Sequence, residues 1–323
     1  MAMIRIAVLD DYQGVARTFG DWSVLGPDAQ VEVFRAPLAT EDEAAAALAG
    51  FDVVCLMRER LAVPASLLDR LPKLRLLLVT GARVRVIDLE AAAARGVTVC
   101  HTSAGESHSA TPELAWALLL AVARHLPQEH QRMREGGWQE TVGMTLGGKT
   151  LGLVGLGKLG ARMVPIARAF GMDVIAWSQN LTDERAAEVG VPRVAKDALF
   201  QTADAVSIHM QLGPRSTGLV GAAEIALMKP GAILVNTSRG PIIDEAALLS
   251  ALQSGRIRAG LDVYDVEPLP AGHPLRSAPN LVMTPHLGFV TEGAYREWYP
   301  DLIEGIRAWR DGKPVRVMAA PAA

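Results

Sequence analysis

Short apolar runs alternate with longer amphipathic stretches along most of the chain. The runs at 4–9, 31–34, 53–57, 74–79 and 97–100 are rich in Val, Ile and Leu and too short to be helices. Between them lie Ala-rich stretches with helical spacing, such as 41–49 and 88–94. This alternation predicts an α/β chain with parallel sheets, and the five runs make one doubly wound unit before residue 101. A second unit begins near Lys149, with strand-like runs at 151–154, 173–177, 205–209, 232–236, 260–263 and 281–284. A helical stretch over 112–134 joins the two, with Leu114, Leu118, Ala121, Val122 and His125 on one face. After His286 the pattern returns to helix over 294–310. Periodicity leaves two places for that helix: it caps the second unit, or it crosses back to complete the first.

The second unit opens with chemistry. In "GLVGLGKLG", Gly155, Gly157 and Gly160 have G-x-G-x-x-G spacing between a predicted strand and a predicted helix. In that context Gly155 permits the turn, Gly157 lets a pyrophosphate approach the backbone, and Gly160 lets helix and strand pack closely. The free N–H groups of the helix start suit phosphate, which makes Lys158 and Leu159 lining candidates together with the glycines. A purely structural tight turn is the alternative. His209, ending one later strand, and Thr237, following another, are further cofactor-lining candidates, with a structural role for His209 the competing reading. At the end of the 173–177 run, where an Asp or Glu ordinarily receives the adenosine ribose, the chain has Ser178. The usual barrier to NADP is therefore missing. No Arg or Lys occupies 179–183, and the first cation is Arg185, so NAD and NADP both remain open.

Composition narrows the class. The chain has 323 residues, half of them hydrophobic, enough for a large core in two domains. Its 32 Lys and Arg against 35 Asp and Glu give a formal charge of -3, and the basic residues are dispersed. Nucleic acid and anionic membrane are not the expected partners. The longest apolar stretch, 114–123, is too short to span a bilayer, and no leader-like segment precedes the first strand. Two cysteines, Cys55 and Cys100, make neither a disulfide framework nor a metal cluster, and the seven histidines show no ligand spacing. No metal and a cytoplasmic setting are expected.

Three charged side chains fall where strands of the second unit should end: Arg239 in "NTSRGP", Glu267 in "LDVYDVEP" and His286 in "TPHLG". Ligands of open α/β sheets bind outside the carboxyl ends of the strands, so these three can converge there. Taken singly, each has a plainer reading as a loop, surface or turn residue. With these segments the chain resembles the D-isomer-specific 2-hydroxyacid dehydrogenases, nearly end to end, through "GLVGLGKLG", "MKPGAILVNTSRGPIIDEAALLSAL", "LDVYDVEP", "TPHLG" and the closing "GKPVRVM". The resemblance implies that Arg239, Glu267 and His286 are the catalytic trio and that Asp262 lies near the nicotinamide carboxamide. It also implies a Rossmann coenzyme domain, 101–287, inserted into a flavodoxin-like substrate domain of 1–100 and 288–323, and a homodimer built through the coenzyme domains. The residue types suit hydride transfer between a nicotinamide and a small 2-oxo or D-2-hydroxy acid. His286 can exchange the hydroxyl proton, Glu267 can hold its tautomer, and the planar fork of Arg239 suits a carboxylate.

The chain departs from its relatives on the substrate side. Where they commonly read "TGAGVDNVD" it reads "TGARVRVID", with Arg83, Val84 and Arg85 in the loop, while "MRER" places Arg58 and Arg60 after another strand. Arg58, Arg83 and Val84 are the substrate-binding candidates. The added cations imply either a substrate with a second anionic group or solvated arginines on two loops. Phe289, Tyr295 and Trp298 line a pocket or pack the last helix. The competing function is an NADH-sensing, corepressor-like binding protein of the same fold.

Overall fold

A computed structural model describes residues 3–82 and 86–318. Arg83, Val84 and Arg85 lie outside the described residues. The chain divides into two compact units, Met1–Glu106 with Thr291–Ala323, and Ser107–Val290.

In the first unit, β1 (Ile4–Val8), β2 (Ala29–Val33), β3 (Val53–Leu56), β4 (Leu76–Val79) and β5 (Thr98–His101) form one parallel sheet. Its order, β2-β1-β3-β4-β5, is that of flavodoxin-like folds. β3 and β4 are buried at every position, which is why they read as unbroken apolar runs rather than as alternating ones. The C-terminal helix Glu292–Arg310 belongs to this unit. Asp301 accepts the Ser103 N–H at 2.7 Å, the Arg310 guanidinium bonds Asp28, and Gly305 leaves room for the Leu78 side chain. Behind the helix, Arg316 donates to the His101 carbonyl at 3.0 Å, and Val317 bridges Cys100.

The second unit holds β6 (Thr150–Val154), β7 (Asp173–Trp177), β8 (Ala205–Ile208), β9 (Ile233–Asn236), β10 (Arg258–Leu261) and β11 (Leu281–Met283), all parallel. The order is β11-β10-β9-β8-β6-β7, and a single parallel bridge from Ala176 to Arg193 adds a short strand beyond β7. With that bridge the sheet has the Rossmann order, and the chain reverses direction across the sheet between β6 and β8. The glycine turn follows β6 at this switch point.

The helical stretch expected over 112–134 is not one helix. It is Ser107–Ala123 and Leu126–Arg134, separated by His125 at φ 54°. Pro127 explains the break, because it has no N–H to give the Ala123 carbonyl that a continuous helix would require. That carbonyl instead accepts the Met144 N–H at 2.8 Å.

A candidate active site on the second unit

At the end of β6, Gly155 turns the chain at φ 105°, and a Cβ there would lie 2.4 Å from the His209 carbonyl oxygen. A Cβ on Gly160 would lie 2.1 Å from the Gly155 carbonyl oxygen. Both positions therefore require glycine for steric reasons. Gly157 differs: it begins the helix Lys158–Ala169 without a side-chain cap, and nothing lies within 4 Å of where its Cβ would be. The helix start is thus open, with unsatisfied N–H groups and the positive end of the helix dipole facing space. Lys158 is exposed and Leu159 half-buried at its edge.

Buried polar atoms at the ends of neighbouring strands want partners. Thr237 Oγ1, past the end of β9, is buried without a hydrogen bond, and so is His209 Nδ1, past the end of β8. The other ring nitrogen of His209 lies 2.9 Å from Ser207 Oγ. Burial pushes the His209 pKa down to about 4, so the ring is neutral near pH 7. An open helix start, a glycine cradle and two orphaned polar atoms at one end of a Rossmann sheet fit a dinucleotide. Ser178 follows directly on β7, as the sequence placed it, and Thr182 caps the next helix by accepting the Arg185 N–H at 3.2 Å.

His286, Glu267 and Arg239 come together at the same edge of the sheet. His286 Nδ1 lies 2.5 Å from Glu267 Oε2, and their side chains are 22% and 28% exposed. Among the described residues nothing bonds His286 Nε2. The other Glu267 oxygen accepts the Tyr264 N–H at 2.9 Å. Burial alone would raise the Glu267 pKa, but His286, the Tyr264 N–H and the Arg239 charge together hold it below the usual carboxylate range. The phenyl ring of Phe289 stands edge-on to the imidazole at 5.4 Å. Tyr295 and Trp298, by contrast, pack against each other in the first unit.

The supporting residues were hard to find by motif. Asn236, fully buried, accepts the Ser238 N–H and donates to the Arg239 carbonyl at 2.9 Å, which shapes the turn that presents Arg239. A Cβ on Gly240 would lie 2.1 Å from the Tyr264 carbonyl carbon, so that turn packs directly on the one carrying Glu267. The clue in the sequence was a polar Asn closing an apolar strand. Asp262, expected beside the nicotinamide, is fully buried. Its oxygens accept from Thr284 Oγ1 at 2.6 Å, Leu287 N at 2.7 Å and Gly288 N at 2.9 Å, while its carbonyl accepts the His286 N–H at 2.8 Å. In this structure Asp262 holds the turn on which His286 sits at φ 55°.

A second histidine–glutamate pair gives a contrast. His273 Nε2 lies 3.2 Å from Glu245, with the same 22% and 28% exposure, but His273 Nδ1 is taken by the Leu275 N–H at 3.3 Å. Both ring nitrogens are occupied there. His286 offers one to a ligand.

The family description "D-isomer specific 2-hydroxyacid dehydrogenase, NAD binding domain" matches residues 116–288. The chain belongs to the D-isomer specific 2-hydroxyacid dehydrogenases. Within that family it is 37% identical over 281 residues to D-3-phosphoglycerate dehydrogenase of Mycobacterium bovis, an alignment covering 86% of this chain and 53% of that protein. The chain spans about half the length of the curated relatives it matches. The solved structure of a phosphoglycerate oxidoreductase from Vibrio cholerae superposes with a TM-score of 0.89 at 35% identity, over 96% of this chain and 100% of that one. The apo D-lactate dehydrogenase of Escherichia coli superposes at 0.82 with 27% identity, over 98% and 100%. The family's fold of two parallel-sheet α/β domains is the one found here.

In the first unit, Arg58, a substrate-binding candidate of the sequence, has φ 57°, and its N–H donates to Thr80 Oγ1 at 2.9 Å. A Cβ on Gly81 would collide with the Arg58 guanidinium, which also lies 5.6 Å from the Trp298 ring. Arg60 stacks 4.5 Å from the Tyr12 ring. Neither is a freely solvated arginine. Among the described residues there is no group of three or more side chains able to hold a metal and no helix long and apolar enough to cross a membrane.

Proposed function

We propose that the protein interconverts a small 2-oxo acid and its D-2-hydroxy acid with a nicotinamide dinucleotide. The observation that carries this is the His286–Glu267 pair with Nε2 open, beside Arg239, on the unit whose glycine turn leaves a helix start exposed. Residues 155–160, with Thr237 and His209 alongside, would hold a nicotinamide dinucleotide, which would supply or accept the hydride. His286 Nε2 gives its proton to the substrate oxygen in reduction and takes it back in oxidation. Glu267, kept ionised, accepts the Nδ1 proton and so fixes the tautomer that presents Nε2 to the substrate. Arg239 grips the substrate carboxylate with its planar fork and polarises the adjacent carbonyl. Asp262 acts by positioning His286.

Loss of reduced-nicotinamide absorbance over a panel of glyoxylate, hydroxypyruvate, pyruvate and phosphohydroxypyruvate tests the reading. His286→Asn should lower turnover by about 10²- to 10⁴-fold, as removal of a general acid does. His273→Asn should leave it intact. Arg239→Lys should lose about 10-fold or more in kcat/KM despite keeping its charge. Tight dinucleotide binding without turnover on any of these acids would favour the sensor reading instead.

The partner is a second copy of the chain. Leu126 (53% exposed), Met133 (54%), Trp138 (71%) and Val142 (93%) present apolar surface on one segment of the second unit. A cytoplasmic setting accords with two buried, unpaired cysteines. The dinucleotide is NAD or NADP as far as Ser178 is concerned, since a hydroxyl accepts either ribose.

A further inference from the structure

The loop after β7 carries more information than Ser178. Three arginines border it, and two are matched by carboxylates. Arg185 is paired with Glu188, and Arg193 lies 3.2 Å from Asp183. The Glu184 carboxylate is folded onto its own N–H and Thr182 at the helix start. The third, Arg215, comes from the turn after β8, 35 residues beyond Asn180. That turn is well built: the buried Ser216 hydroxyl donates to the Gln211 carbonyl at 2.7 Å and accepts the Gly213 N–H at 2.9 Å. It is tied to the loop by Gln179 Nε2, which donates to the Arg215 carbonyl at 2.6 Å. The exposed guanidinium reaches back over the loop to Asn180 Oδ1 at 3.4 Å, and among the described residues no carboxylate pairs with it.

We propose that Arg215 binds the 2′-phosphate of NADP(H), and that the loop 178–180 with Arg215 makes the phosphorylated dinucleotide the preferred one. The inference rests on the dinucleotide reading above and deepens it. A long bond to a neutral amide is weak, and a phosphate dianion would displace it with charge-assisted, bidentate contacts. Ser178 contributes a hydroxyl donor where an acid would repel that phosphate, and Gln179 and Asn180 add no charge. The neutralised Arg185 and Arg193 leave Arg215 as the cation available to a second anion at the end of β7.

Titration calorimetry on the purified full chain tests this without reference to turnover, using NADPH against NADH and adenosine 2′,5′-bisphosphate against AMP. The phosphorylated member of each pair should bind at least about 10-fold more tightly, the worth of one charged hydrogen bond, and that preference should shrink with added salt. Arg215→Gln, at an exposed position, should erase the preference while leaving NADH affinity within about 2-fold, and Ser178→Asp should reverse it. Equal or tighter NADH binding by the unaltered protein, or equal weakening of both dinucleotides in Arg215→Gln, overturns the assignment while leaving the dinucleotide site standing. Binding of neither dinucleotide overturns both.

Discussion

Each unit of the molecule sends its first strand into a helix at the carboxyl edge of a parallel sheet, and the two turns end in opposite chemistry. After β1, the buried Asp11 carboxylate accepts the Val15 N–H at 2.8 Å and the Ala16 N–H at 3.0 Å at the start of the helix Ala16–Phe19. After β6, Gly155 and Gly157 leave the start of Lys158–Ala169 uncapped, with open space before it. One helix start is satisfied by a carboxylate of its own chain; the other is left uncapped, as an anion-binding helix start is. The doubly wound fold does not confer dinucleotide binding by itself. On the proposed reading, what confers it is the absence of an internal plug at one strand-to-helix turn.

The sharpest way to break that comparison is Gly157→Asp. A side chain fits there, would cap the helix as Asp11 does, and would meet the pyrophosphate with like charge. Dinucleotide affinity should fall by at least about 10-fold, with more expected from the desolvated carboxylate, while the melting temperature holds or rises slightly. Undiminished binding, read by calorimetry, would mean that phosphates do not use this helix start. Gly160→Ala tests the packing half of the same turn: its methyl would press on the Gly155 carbonyl, and denaturant unfolding should show a loss of about 1–3 kcal/mol. In the first unit, Asp11→Ala should cost about 0.5–2 kcal/mol of stability and leave dinucleotide affinity unchanged, because that carboxylate serves its own backbone.

The smallest effect concerns a carboxylate used differently again. Glu267 is held below the usual range in the folded protein, so the stability it contributes is complete above the unfolded value of about 4.3 and is lost as pH falls through the lower folded value. Glu267→Gln should flatten that acid limb of stability and leave stability near neutral pH within about 1 kcal/mol of its new level throughout, as followed by denaturation at stepped pH.

Much of the site was legible because its parts are local. The glycine spacing and the strand ends that carry Arg239 and His286 each depend on a handful of neighbouring residues. Residues acting across loops were not. Asp262 anchors the histidine turn from 25 residues away in sequence, and Arg215 meets the loop after β7 across 35. Asp11 is one of two adjacent acids in "LDDYQ", and no local pattern marks it as the one that caps the helix start.

The sequence by itself determined the alternation of buried strands and amphipathic helices, the two doubly wound units and the glycine turn, because apolar periodicity and glycine sterics act over a few residues. Tertiary structure decided the rest. It folded the last helix onto the first unit. It also determined which arginines beside Ser178 are neutralised by carboxylates and which histidine keeps a nitrogen open. Those outcomes depend on partners brought close by sheet order, and separation along the chain carries no record of that proximity.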